Sequence, residues 1–380
     1  MMTDREYYAT LVNSIFGNGS ATFDVTDTLS NNVIGALKKP GEFVEFTANF
    51  VQRLRRLAAA IQVDISLRRG ILATINKIVT AEWDGAYAEL CAIDYFLADP
   101  STGPGKVVLD CTVPGIQTLA SDMGMQHVNY DMKFPDLGVS MDTKLLSDKI
   151  GRILEGVCKD FQKDKNIQSL TILPSYNQDE DFATYQINRQ KLLDELCQSV
   201  DINARPSNFD SRIIAGLSYE FSWEPGVLMA ESTYSPFEHA MNHHHLLFGH
   251  SKKFSKVEPS VIVFVVFPWA GENVVAVFKD STMIFFKEFC KNFFSRYLFS
   301  SNQAVRFNDK IKSTITAGDV TKHLAGILFL EDNSILANTP DNVNVKASFF
   351  WNPNALHPLT GSRLEACLQA RGAVDLQTIC

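Results

Sequence analysis

The stretch from His127 to Lys144, HVNYDMKFPDLGVSMDTK, concentrates residue types that handle phosphate and hard cations. Two runs alternate in polarity around Pro-Asp-Leu-Gly, the pattern of a β-hairpin with a short turn. Alternation puts Val128, Tyr130, Met132 and Phe134 on one face and His127, Asn129, Asp131 and Lys133 on the other. In the second run Val139, Met141, Thr143 and Leu145 share a face, and Ser140, Asp142, Lys144 and Leu146 share its opposite. A four-residue turn at 135–138 pairs Phe134 with Val139 and sets Asp131 opposite Asp142. A slip of one residue would mix the faces, so the pattern specifies this register.

Opposed carboxylates repel and weaken a strand pair. A shared hard cation removes that repulsion, because β-carbons about 5 Å apart let two carboxylates reach one ion. Magnesium suits the pair, with manganese as a substitute. It binds one or two carboxylates and fills its other positions with water and phosphate oxygens. Lys144 lies on the same face, where it would orient or deprotonate a water, or offset charge in a phosphorane-like transition state. Asp136 is the rival to Asp131, since Pro-Asp also opens a carboxylate pattern. The register favours Asp131 and leaves Asp136 in the turn, where aspartate is common. A surface hairpin with solvated charges is the plainer reading of the same residues.

Around this hairpin, hydrophobic spacing predicts helices over 42–62, 71–98, 147–164, 187–200, 236–254 and 281–299. Strands are predicted over 106–113, 169–175, 259–269, 324–331 and 345–351, with a second hairpin over 213–233. Helices and strands are mixed throughout, so the expected class is α/β or α+β. Residues 1–70 read as an N-terminal helical region, 71–175 as a core, and 176–380 as an α/β extension packed on it.

A carboxylate on a helix, then Asp131, then Asp142-Thr143-Lys144 ahead of a helix and a strand, resembles the PD-(D/E)XK nuclease family. The resemblance implies a restriction-endonuclease-like α-β-β-β-α-β core. Its parts would be helix 71–98, strands 106–113, 127–134 and 139–146, helix 147–164 and strand 169–175. It also implies magnesium-dependent cleavage of phosphodiester bonds, with DNA as the expected substrate. Glu89 would be the helix acid, with Glu82 as the alternative. Asp131 would be the first aspartate, and Asp142 and Lys144 the D-x-K pair. Asp131, Asp142 and Glu89 would then hold the metal. D-x-K is a common string, and the order and placement of the residues carry the resemblance.

The chain of 380 residues carries a net charge of −8, which argues against a generic nucleic-acid coat. Residues 38–69 nevertheless hold Lys38, Lys39, Arg53, Arg55, Arg56, Arg68 and Arg69 against Glu42, Glu45 and Asp64. Arg53, Arg55, Arg56, Arg68 and Arg69 are the expected DNA-phosphate contacts; a solvated helix face is the alternative. The N-terminus lacks a secretory pattern, and the apolar run at 261–267 is too short to span a bilayer. No cysteine falls in a CxxC pair, so a reducing cytoplasm is the expected setting and no membrane partner is expected. Self-association is left open.

Other candidates are weaker. His239, His243 and His250 fall in one helical sector, where i,i+4 histidines can bind zinc, but no HExxH is present. Lys252, Lys253 and Lys256 would make an anion-facing end to that helix. Glu220 and Glu231 would be neighbours in the second hairpin, and Phe285, Phe286, Phe289, Phe293 and Phe294 read as core. The alternative to an enzyme is a non-catalytic nuclease-fold protein that binds a partner.

Overall fold

The computed structural model describes residues 2–27, 30–98, 103–146, 149–167, 170–176, 182–223, 236–242, 244–267, 279–299, 304–306, 312–333 and 345–378. The chain opens with a helical layer: α1 (Asp4–Phe16), α2 (Asn32–Lys38), α3 (Val44–Val63), α4 (Arg68–Lys77) and α5 (Trp83–Leu97). In α3 the apolar stripe Phe46, Phe50, Leu54, Leu57 and Ile61 recurs at helical spacing and is buried. The single helix expected over 71–98 is instead broken between Lys77 and Trp83. Side chains from the N-terminal segment take the carbonyls at the break: Asn31 Nδ2 donates to Ile78 O at 2.8 Å and Arg5 donates to Val79 O at 2.7 Å. These donors satisfy carbonyls that the interrupted helical ladder leaves open.

The meander β1 (Val108–Pro114), β2 (His127–Phe134) and β3 (Val139–Leu145) follows. Both of its pairings are antiparallel. Leu137 N donates to Phe134 O and Gly138 N to Pro135 O across the β2–β3 turn. Gly138 closes it at φ +60°, a conformation glycine adopts without steric cost.

The next segment leaves the main sheet. It comprises α6 (Lys149–Asp164), β4 (Thr171–Ser175), α7 (Phe182–Ser199), β5 (Asn208–Asp210) and β6 (Ser218–Ser222). Its strands form their own sheet in the order β4-β6-β5. They share a separate core with Leu154, Val157, Phe161, Tyr185, Leu192 and Leu196 of the two helices. The strand at 169–175, expected as the last strand of the core, therefore lies in this separate sheet as β4. Of the hairpin expected over 213–233, the described part holds β6, which pairs with β4 and β5; residues 224–235 lie outside the described residues.

The remaining elements are α8 (Pro236–Asn242), α9 (His245–Phe248), β7 (Ser260–Val266), α10 (Lys279–Arg296), β8 (Ala304–Arg306), β9 (Lys312–Thr316), α11 (Ala317–His323), β10 (Gly326–Asp332), β11 (Val345–Trp351), α12 (Arg363–Ala370) and β12 (Val374–Asp375). The helix expected over 236–254 is thus two short helices and a single 3₁₀ turn at Ser251–Lys253.

The main sheet has the order β1-β2-β3-β7-β10-β11-β12 and is mixed. β7 runs parallel to both β3 and β10, and all seven of its residues are buried. That burial is why Val261 to Val266 read as a continuous apolar run, as central parallel strands do. One face carries Met132, Phe134, Val139, Met141, Val261 and Val263 and packs against α1–α5. The other carries Ile262, Phe264, Ile327 and Phe329 and packs against Phe285, Phe286, Phe289 and Phe293 of α10. The Phe-rich helix is therefore core, with Phe286 and Phe329 stacked at 4.0 Å between ring centroids. No helix among the described residues is long and apolar enough to cross a membrane.

Candidate functional site

The β2–β3 ladder pairs Phe134 with Val139, Lys133 with Ser140, and Met132 with Met141. Asp131 and Asp142 sit one step beyond its last pair. There the Asp131 side chain intervenes: Thr143 N donates to Asp131 Oδ2 at 2.6 Å. An amide that would extend the ladder is thus spent on a carboxylate, and the strands part. On its other side β3 stays bonded to β7 through Asp142 and Lys144. Asp142 is therefore held on a central strand, and its side chain is almost fully buried.

Two ammonium groups bracket the two carboxylates. Lys144 Nζ lies 2.7 Å from Asp142 Oδ2 and 4.0 Å from Asp131 Oδ2. Lys253, from the 3₁₀ turn before β7, places its Nζ 2.5 Å from Asp142 Oδ1 and 3.9 Å from Asp131 Oδ1. One lysine thus serves each edge of the carboxylate pair. Sequence reasoning took Lys253 only as part of an anion-facing helix end. Its one signal was the basic run Lys252-Lys253, and nothing in the spacing ties residue 253 to residue 142.

The electrostatics separate the two aspartates. Burial works against the ionised form of Asp142, but Lys144 and Lys253 together outweigh it and hold its pKa below the usual carboxylate value. Burial, and then the charge of Asp142, push Asp131 up to about 7. Lys144 is opposed by burial, yet Asp142 and Asp131 keep its pKa raised, so it remains a cation at neutral pH.

Glu89 approaches from α5. It is half-buried, accepts from Thr74 Oγ1 at 3.0 Å, and has its pKa raised by burial. Its charge is felt at both Asp131 and Lys144. Glu82 is exposed, immediately before α5. Asp136 stays in the exposed turn, accepting from Lys106 N at 3.1 Å. A further carboxylate went unnoticed in the sequence: Asp110, at φ +49° in β1, is skipped in the ladder opposite Asp131, and its charge reaches Glu89.

Asp131 offers a stability test. Between about pH 4 and pH 7 the unfolded chain has lost this proton while the folded chain keeps it. A raised carboxylate therefore contributes stability at low pH that is lost as pH rises through the folded value. Asp131→Asn removes that loss while keeping an oxygen for Thr143 N. The variant is expected to gain on the wild type by on the order of 1–2 kcal/mol between pH 4 and pH 8, with a plateau above pH 7. Melting curves of both proteins across that range check this; a constant gap would mean Asp131 is ionised throughout.

The expected phosphate contacts do not stay together. Arg53 is buried, with Nε 3.2 Å from Asp94 Oδ2 and Nη1 3.3 Å from Asp332 Oδ2. It cannot reach a phosphate, which corrects that expectation: its charge serves two inward-facing carboxylates. Arg56 is partly exposed but forks onto Asp94 at 2.9 and 2.6 Å. Arg68 is half-buried and donates to Phe16 O and Ser20 Oγ. Arg55 and Arg69 are exposed.

His244 is buried, with Nε2 3.1 Å from Phe289 O. Residue 243, and the side chain of His239, lie outside the described residues, as does Glu231; Glu220 is exposed. Among the described residues no group of three or more His, Cys, Asp or Glu side chains is arranged to hold a metal ion. Asp131 and Asp142 alone still offer the paired hard oxygens that magnesium accepts, and the cations facing them are lysines. Comparison with family models, with curated proteins and with solved structures finds no match to this chain.

Proposed function

We propose that the chain is a magnesium-dependent nuclease acting on DNA, built on a restriction-endonuclease-like core of α5, β1, β2, β3 and β7. The observation that carries this reading is the convergence of Asp131, Asp142 and Lys144 where β2 and β3 part. The topology supports it as well. An antiparallel meander is followed by a strand parallel to its last member, and α5 lies against one face. β7 takes the place that the resemblance implied for 169–175, and the unit from α6 to β6 is inserted between β3 and β7.

When bound, magnesium polarises a scissile phosphate and lowers the pKa of an attacking water. Asp142, held ionised by its lysines, presents a ready oxygen ligand. Asp131 can hold or release a proton near neutral pH. Lys144 is a cation in the folded chain, so its chemistry is stabilisation of charge on a phosphate rather than proton removal. Arg55 and Arg69 remain as contacts to the DNA backbone.

The placement of the lysines favours one second reading. Two lysines already occupy both edges of the aspartate pair, as they would in a nuclease-fold subunit that binds a partner without cutting. Magnesium-dependent cleavage of plasmid and single-stranded DNA separates the two. Wild type is expected to cut, with manganese also supporting the reaction, and Lys144→Ala to cut about 10²-fold more slowly or worse. No cutting by wild type, or equal rates in both proteins, would overturn the nuclease reading.

A further inference from the structure

Both edges of the Asp131–Asp142 pair are taken by ammonium groups, and the two lysines are not equivalent. Lys144 belongs to β3, at a position bonded to β7 on one side, and its side chain follows the strand's own face. Lys253 comes from a single 3₁₀ turn in a different part of the chain. That turn is anchored by buried Ser251, whose Oγ donates to Phe248 O at 2.6 Å, and by buried Phe254. The backbone is therefore fixed, while the ammonium sits at the end of a flexible four-carbon stem. About a fifth of the side chain is exposed at Lys253 and at Lys144 alike, so water lies within reach of either ammonium, and what differs is the backbone each one hangs from.

Magnesium takes its oxygen ligands at about 2.0–2.1 Å. Lys253 Nζ stands on Asp142 Oδ1 at 2.5 Å and faces Asp131 Oδ1 at 3.9 Å. A divalent cation drawing on those oxygens would compete with the ammonium for Asp142 Oδ1 and be repelled by its charge. Occupation by one cation excludes the other.

We propose that Lys253 is a built-in counter-cation that competes with the divalent metal for Asp131 and Asp142, and must swing off the Oδ1 edge before the metal can load. The inference rests on the metal reading of the site given above. It makes metal affinity a property set by a lysine outside the D-x-K pair. It also accounts for how two facing carboxylates fold without an ion: the lysine stands in for it until it arrives.

Manganese binding tests this without any catalytic readout. Free Mn²⁺ is titrated by electron paramagnetic resonance against the full chain at fixed salt and pH. Wild type, Lys253→Met, Lys253→Arg, Lys144→Met and Asp142→Asn are compared. Lys253→Met is expected to bind Mn²⁺ at least tenfold more tightly than wild type. Lys253→Arg, which keeps the charge, should stay within about threefold of wild type. Lys144→Met should tighten binding several-fold less than Lys253→Met. Equal tightening by the two methionine variants would reveal only a general charge effect and would overturn the proposal, as would no tightening in Lys253→Met. If Lys253→Met does not fold, Lys253→Gln takes its place with the same expectation. Asp142→Asn tells this failure from failure of the metal reading. Binding that depends on Asp142 but ignores Lys253 sinks the competition alone. Binding that survives Asp142→Asn, or no binding by any of the proteins, sinks the metal reading with it.

Discussion

Asp142→Asn is expected to reduce magnesium-dependent cleavage by about 10³-fold or more, a loss of about 4 kcal/mol in transition-state stabilisation. It is also expected to lower the stability of the fold. The substitution keeps the shape of the side chain and removes one charge, so both effects trace to electrostatics. Asp142 is the carboxylate that both lysines share, at 2.7 and 2.5 Å. Without its charge, two ammonium groups face one another across a neutral amide, with Asp131 alone to balance them. Removing one partner of a buried ion pair costs about 3–5 kcal/mol. Lys144 and Lys253 keep some contact with water and can turn outward, so about 2–3 kcal/mol is expected here. The sign with pH follows from the lowered pKa of Asp142. Its contribution is fully present above the unfolded value near pH 4 and is lost as pH falls through the lower folded value. Wild type and variant should therefore differ most at neutral pH and converge in strong acid. Urea denaturation at pH 7 and pH 3, with cleavage rates at pH 7, measures both effects. A variant as stable as wild type at pH 7 would mean the lysines gain nothing from Asp142.

The second large effect lies away from the site. Arg53→Met is expected to destabilise the fold by about 3–5 kcal/mol. The guanidinium is enclosed between α3, α5 and β10, bonded to Asp94 at 3.2 Å and reaching Asp332 at 3.3 Å through both terminal nitrogens. Tyr87 OH donates to the same Asp332 oxygen at 2.6 Å, and the Arg53 guanidinium lies over the Tyr87 ring at 5.3 Å. Burial opposes the charge on Arg53, but Asp332 first, then Tyr87, Cys91 and Asp94, hold its pKa above the ordinary arginine value. Methionine fills much of the volume and leaves the Asp332 carboxylate in the interior without that cation. Arg56 still neutralises Asp94. The double variant Arg53→Met/Asp332→Asn should therefore recover part of the loss, because the buried charge that Arg53 offset is gone. Guanidinium chloride midpoints at an unchanged denaturant slope measure this. A double variant no better than the single would assign the cost to packing instead.

The hairpin was legible because period-two alternation over 127–146 admits one register once the turn is set, and apolar residues then face apolar ones. The buried run at 261–267 and the Phe-rich helix were legible for a similar reason: composition alone requires that they be covered. The break between α4 and α5 was not legible, since the carbonyls it leaves open at Ile78 and Val79 are met by Asn31 and Arg5, distant in sequence. The basic segment misled at Arg53. A guanidinium on an amphipathic helix looks like surface until its carboxylate partners, 41 and 279 residues away, are brought alongside.

Local alternation by itself determined that Asp131, Asp142 and Lys144 share one face, because side-chain direction in a strand is a matter of counting. Tertiary structure decided what surrounds them. It set β7 rather than 171–175 beside β3 and delivered Lys253 to the second edge of the carboxylate pair. Those outcomes follow from which strands find one another and which charges must be neutralised once buried. Both are contacts between segments more than a hundred residues apart, and no local spacing encodes them.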